Sequence, residues 1–171
     1  MSIKLAIVRA IYWLKSLGED PVEIFKRLGV RSDDQILEIG CAIGYHTLAL
    51  ARLAPEGKVY AVDIWKEGLQ FLQSRIKSGQ NIEIICDNAE DIEFPPASLD
   101  KIFCFNTLHE LSYPAKALQR WAKFLKEDGK LYFKDPEIPP EQVEKLSEGK
   151  LQKVSTVHKI SIFAPKPEKV R

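Results

Sequence analysis

The 171-residue sequence predicts an α/β protein: a doubly wound three-layer sandwich on a mainly parallel, seven-stranded sheet that ends in an antiparallel hairpin. Three observations predict it. Five short, almost unbroken apolar or β-branched blocks recur along the chain, amphipathic patterns separate most of them, and two glycines four residues apart follow the first block. Strands alternating with helices imply parallel pairing through right-handed crossovers, and continuous hydrophobicity means that both sheet faces are covered.

The N-terminal stretch SIKLAIVRAIYWLKSLG reads as a helix with two apolar stripes. Ile3, Ala6, Ile7, Ala10, Ile11, Leu14 and Leu17 form the broad one; Leu5, Val8 and Tyr12 form a narrower one. Two faces are more than one core contact uses, so the helix is expected to cover a site, a second subunit or a lipid surface. Lys4, Arg9 and Lys15 interrupt it, and no run reaches the ~18 apolar residues of a membrane span. Gly18 and Asp20-Pro21 mark a stop and a start, and PVEIFKRLG predicts a short second helix closed by Gly29.

QILEIG, KVYAVDI, NIEIIC, KIFCFN and GKLYFKD then read as strands, with helices over YHTLALARLA, KEGLQFLQSRIKSG and PAKALQRWAKFLKED. DNAEDIEFPPASLD reads mainly as loop because Pro95-Pro96 lies inside it. PPEQVEKLSEG predicts a last helix, and LQKVSTVHKISIFAPK a hairpin expected to turn near Ser155 to Val157. One domain over residues 1–171 is expected, its core at 30–171 and residues 1–29 a lid or contact surface.

Twenty-five basic against twenty-four acidic residues give a net charge of +1, so no strong field draws nucleic acid by counterion release. Cys41, Cys86 and Cys104 lie far apart in apolar runs without the close pairing of zinc sites. They read as buried thiols of a cytoplasmic protein, and no metal site is expected.

A glycine turn between a strand and a helix places backbone N–H groups at the carboxyl edge of a parallel sheet, where such folds bind ligands. Dinucleotide binding from Gly40 requires glycines at 42 and 45; these are Ala42 and Tyr45. No Gly-Lys-Ser/Thr follows, which excludes a P-loop. The stretch E-I-G-C-A-I-G, Glu38 to Gly44, instead resembles the first motif of the class I S-adenosylmethionine-dependent methyltransferases, whose fold is Rossmann-like. Asp63 ends VYAVDI, where this resemblance places the acid that holds both ribose hydroxyls, 23 residues after Gly40. DNAEDIEFPPASLDKIF resembles the family's adenine loop, with Asn88 at the aspartate position and Ala89 at the alanine; FCFNTLHEL resembles the stretch lining the methionine end. The resemblance runs from about Pro21 to Pro165 and departs from the usual motif at Ala42 and Asn88; an amide oxygen can still accept a bond from the adenine amino group.

The resemblance implies S-adenosyl-L-methionine as cofactor and S-adenosyl-L-homocysteine as product, held by Glu38, Gly40, Cys41, Ala42, Gly44, Tyr45, Asp63, Ile64, Asn88, Ala89 and Asn106. His109, beside Glu110 after the fourth strand, is the candidate base; packing of the following loop is the competing role. Asp135 and Glu137 are candidate substrate contacts, and Tyr12, Trp13 or Tyr113 candidate aromatic faces for a cation. The expected reaction is methyl transfer to an unidentified acceptor, a small molecule or lipid before a protein, with nucleic acid last. A binder without turnover is the alternative. A homodimer and a membrane-surface contact remain open as partners, with the membrane contact not favoured.

Overall fold

The computed structural model describes residues 2–16, 18 and 20–166. Leu17, the end of the broad apolar stripe, lies outside them. Helices α1 (Ile3–Ser16) and α2 (Pro21–Arg27) precede β1 (Gln35–Ile39), α3 (Thr47–Leu53), β2 (Lys58–Asp63), α4 (Lys66–Arg75) and β3 (Ile82–Cys86). The chain continues through β4 (Leu99–Phe105), a 3₁₀ turn at Leu108–Glu110, α5 (Pro114–Phe124), β5 (Leu125–Lys134), α6 (Pro140–Leu146), β6 (Leu151–Val157) and β7 (Ile160–Pro165). The strands form one sheet in the order β3-β2-β1-β4-β5-β7-β6. β1 to β5 pair in parallel, and β7 runs antiparallel to both β5 and β6.

The expected three layers follow from strands that are apolar at successive residues. Leu37 and Ile39 of β1 pack with Ile102, Cys104, Leu131 and Phe133 against Leu118 and Trp121 of α5. Ile36 of the same strand packs with Phe103 and Tyr132 against Phe25 of α2 and Leu50 of α3. Ala61 of β2 meets Leu69 and Leu72 of α4. Asp20 caps α2 by accepting the Val22 N–H at 2.9 Å, and Pro21 occupies the first helical turn, where its missing N–H costs nothing.

Three sequence expectations are corrected. The hairpin turns at His158–Lys159, not Ser155–Val157, and both turn residues take positive φ, 49° and 62°. This is the backbone of a two-residue hairpin turn that glycine and asparagine usually supply, so the composition gave no signal. Helix α5 ends at Phe124 because Leu125 already pairs with Leu99, so LKED belongs to an irregular start of β5. Cys86 is exposed, since it ends the edge strand β3, whereas Cys41 and Cys104 are buried as expected. No helix among the described residues is long and apolar enough to cross a membrane.

Trp121 joins this core to the loop after β3: its ring is buried, and its indole N–H donates to the Ala89 carbonyl at 3.0 Å. Trp121→Ala is expected to cost about 3–5 kcal/mol in urea unfolding, through the cavity it leaves and the carbonyl it orphans.

Candidate active site

β1 and β4 are neighbours, yet the chain leaves them toward opposite sheet faces, so a crevice opens beyond their carboxyl ends. The turn after β1 holds three left-handed residues: Gly40 (φ 73°), Ala42 (φ 49°) and Gly44 (φ 77°). A Cβ at Gly40 would collide with the Thr107 side chain, and one at Gly44 with Leu72 of α4. Ala42 bears a conformation that costs an L-residue roughly 1–2 kcal/mol. Its N–H donates to Asp63 Oδ2 at 2.7 Å, which offsets that strain.

Asp63 also accepts the Trp65 N–H on Oδ1 at 2.8 Å. A carboxylate has about four acceptor positions, so one remains on each oxygen. Asp63 thus ties two turns together and still presents two acceptors to the crevice.

Beyond β3 the loop is pinned from both sides. The Asn88 N–H donates to Asp87 Oδ1 at 2.7 Å, and Asn88 Oδ1 accepts the Glu90 N–H at 3.1 Å. Buried Glu90 accepts the Tyr113 N–H at 2.7 Å, which fixes the loop to the start of α5. The Asn88 amide oxygen keeps a second lone pair.

Helix α1 supplies the roof. Lys4, Val8 and Tyr12, at i, i+4 and i+8, line a cavity of about 440 Å³ together with Asp63, Asn88 and Asn106. Tyr12 stacks on Tyr45, ring centroids 4.9 Å apart, and Lys4 Nζ lies 4.6 Å from the Trp65 ring. Burial, with Glu38 and Asp63 nearby, pushes the Tyr12 hydroxyl up to about 12, so it stays a hydrogen-bond donor.

Of the residues expected to hold a cofactor, Gly40, Ala42, Asp63, Ile64, Asn88, Ala89 and Asn106 share the cavity wall. Glu38, Cys41, Gly44 and Tyr45 stand outside it. Cys41 is buried against α4, and Tyr45 backs Tyr12. Glu38 accepts the Thr47 hydroxyl at 2.5 Å and lies 3.8 Å from His46 Nδ1. Burial pushes its carboxyl up to about 8 against the Thr47 bond. The charge of Asp63 adds to the rise.

His109 is not in the wall. Its Nδ1 lies 3.0 Å from Asp135, whose side chain is fully covered and also accepts the Glu137 and Ile138 N–H groups at 3.0 and 3.1 Å. Asp135 is thus an internal anchor rather than an open substrate contact. Among the aromatic candidates Tyr12 alone lines the cavity; Trp13 and Tyr113 are exposed.

Sequence reading named none of Lys4, Val8, Thr107 and Glu110 as a cofactor contact, although Thr107 and Glu110 lie in the stretch FCFNTLHEL read as lining the methionine end; all four are in the wall. The narrow stripe of α1 carried a signal for Val8. The Thr107 hydroxyl donates to the Phe105 carbonyl at 3.0 Å, and its side chain fills the space a Cβ on Gly40 would need, a contact no local pattern shows. Among the described residues no group of three His, Cys, Asp or Glu forms a metal site.

The Asp135 hydrogen bond, and then its charge, raise the His109 pKa above the usual 6.5. Burial works to raise Asp135, but the bonds from His109 and three backbone N–H groups outweigh it and hold the carboxyl below 3.8. The ion pair's stabilisation is therefore full below pH 6.5 on the histidine side and lost as pH rises through the raised value; on the aspartate side it is full above pH 3.8 and lost as pH falls through the lowered value. An NMR titration should place the His109 midpoint above 6.5, and Asp135→Asn should bring it down. The stability gap between parent and variant should shrink as pH rises past 6.5.

The methyltransferase domain family matches residues 37–133, more than half of the chain. An uncharacterized methyltransferase of Bacillus subtilis, YcgJ, is 30% identical over 128 residues, 74% of this chain and 50% of that protein. Demethylmenaquinone methyltransferase of a Geobacillus species is 29% identical over 112 residues, 64% of this chain and 48% of that protein. The chain spans about half the length of these two relatives. The crystal structure of an S-adenosylmethionine-dependent methyltransferase from Aquifex aeolicus resembles it with a TM-score of 0.70 at 25% identity, over 85% of this chain and 88% of that one. With its glycine turn, the acid ending β2 and this sheet order, the chain belongs to the class I S-adenosylmethionine-dependent methyltransferase family.

Proposed function

We propose that the protein binds S-adenosyl-L-methionine in the cavity under α1 and transfers its methyl group to a small-molecule or lipid acceptor, releasing S-adenosyl-L-homocysteine. One observation carries the reading: Asp63 reaches the cavity at the end of β2 with one acceptor position left on each carboxylate oxygen, the arrangement a ribose diol requires. The volume lies within the ~300–1,000 Å³ usual for small-molecule sites.

In this reading Asp63 takes the ribose, Asn88 and Ala89 the adenine edge, and exposed Ile64 a ring face. The turn at Gly40 and Ala42, with Asn106, takes the amino-acid end. The bound sulfonium is itself an activated methyl donor, so the chain's task is alignment of a nucleophile and exclusion of water. The α1 roof serves the second need. His109 stands outside the wall next to Glu110 and serves as base for an acceptor that extends past the rim: ionised Asp135 can only accept, so Nδ1 carries the hydrogen and Nε2 is left to take a proton. A net charge of +1 speaks against nucleic acid as acceptor. The Geobacillus relative, a demethylmenaquinone methyltransferase by name, supports a small lipophilic acceptor.

Calorimetry should show S-adenosyl-L-methionine binding to the parent, and Asp63→Ala should weaken it by about 1.5–3 kcal/mol. Unchanged affinity in that variant would remove the ribose assignment. Binding with no labelled methyl passed to any pool of small molecules, lipids or proteins would leave a binder without turnover.

Glu38 adds a proton linkage. If the ammonium of the cofactor approaches this carboxyl, binding strips its proton, so affinity should rise with pH toward about 8 and fall beyond it as the ammonium itself loses its proton. Calorimetry in buffers of different ionisation enthalpy should detect proton release at neutral pH, and Glu38→Gln should abolish it.

A further inference from the structure

Helix α1 meets the body of the protein on its narrow stripe. Leu5 is buried, Val8 and Tyr12 are half-buried, and Ser2 is bonded to Glu67 at the start of α4. The broad stripe faces the other way: Ile3, Ile7, Ile11 and Leu14 are 46–81% exposed, and Trp13 beside them 63%. Four large aliphatic side chains in one row on a surface helix are more than scattered exposure accounts for.

The polar residues narrow the choice of occupant. α1 carries Lys4, Arg9 and Lys15 and no acidic residue. Lys4 and Arg9 stand at the two edges where the helix meets the body, against Trp65 and Phe71. An apolar row with Lys4 along one edge and Trp13 along the other, on a helix that carries no acidic residue, is the pattern of a helix lying in a headgroup layer, aliphatics toward the acyl chains and the ammonium at the phosphates. A second copy fits less well. A 14-residue helix about 21 Å long and ~10 Å wide offers roughly 210 Å², far short of the ~800 Å² per partner of a stable pair. Two such helices would also bring like charges together.

We propose that the outward face of α1, centred on Ile7 and Ile11, docks on an anionic lipid bilayer surface. The opposite edge of the same helix roofs the cavity with Lys4, Val8 and Tyr12. Docking therefore holds the cavity roof at the headgroup layer, where a lipophilic acceptor would enter. That consequence rests on the function proposed above; the docking itself does not.

The test is co-sedimentation of the intact chain, without cofactor, with vesicles of phosphatidylcholine alone and of phosphatidylcholine mixed with phosphatidylglycerol. Binding is expected to the mixed vesicles and to weaken with added salt. The double variant Ile7→Glu, Ile11→Glu should lose at least tenfold in partitioning while its circular dichroism and its calorimetric affinity for S-adenosyl-L-methionine stay at the parent's values. Lys4→Gln should lose about fivefold, the ~1 kcal/mol of one cation near an anionic surface. No binding to the mixed vesicles, or equal binding by the double variant, would overturn the proposal. So would a parent dimer in sedimentation equilibrium, without lipid, that the same variant makes monomeric, since the face would then belong to a second copy. Failure of docking leaves methyl transfer standing, and a chain that binds vesicles but no cofactor would separate the two the other way.

Discussion

The Asp63 carboxylate is the constraint on which the site depends. It accepts the N–H of Ala42 on one oxygen and that of Trp65 on the other, and so holds the turn after β1 against the turn after β2. Parallel pairing of β1 with β2, Ile39 opposite Val62, brings the two turns within reach. The Gly40 and Cys41 N–H groups add bonds to the Val62 carbonyl at 2.9 and 3.0 Å. A left-handed alanine persists in this turn because the surrounding bonds over-determine it. The lone pairs left over on Asp63 are what the cavity presents to a ligand.

The other walls are held by similar means. Trp121 and Glu90 bind the loop after β3 to α5, one through a carbonyl and one through an N–H. Asp135 holds the 3₁₀ turn after β4 by its bond to His109 while gathering the N–H groups of Glu137 and Ile138. Buried acceptors tied to backbone donors fix loop geometry without occupying the space a ligand needs. Helix α1 differs. Its contacts with the body include one buried leucine, the Ser2–Glu67 bonds, two cation–π contacts and the Tyr12–Tyr45 stack. Leu5 is the one buried side chain among the described residues of α1, against five in α5.

The two faces of α1 show where pattern reading meets its limit. Periodicity separates a broad stripe from a narrow one, and the usual expectation is that the broad stripe packs inward. The reverse holds: Leu5, Val8 and Tyr12 meet the protein, and Ile3, Ile7, Ile11 and Leu14 face out. The body offers a cavity rim with rings at Trp65, Phe71 and Tyr45, which suits a tyrosine and two cations better than a row of isoleucines.

The sequence by itself determined the layer architecture, the five parallel strands and the wall residues that follow strand ends, because continuous apolar blocks and glycine turns are local signals of burial and of chain reversal. Gly40, Asp63 and Asn88 were legible for that reason. Tertiary structure alone decided what depends on residues distant in the chain. Thr107 became the reason for Gly40, Asp135 turned from an open carboxylate into the partner of His109, and a left-handed pair at His158–Lys159 made a hairpin turn without glycine or asparagine. It also decided which face of α1 turns inward, since the surface available to a helix is made by the elements it meets.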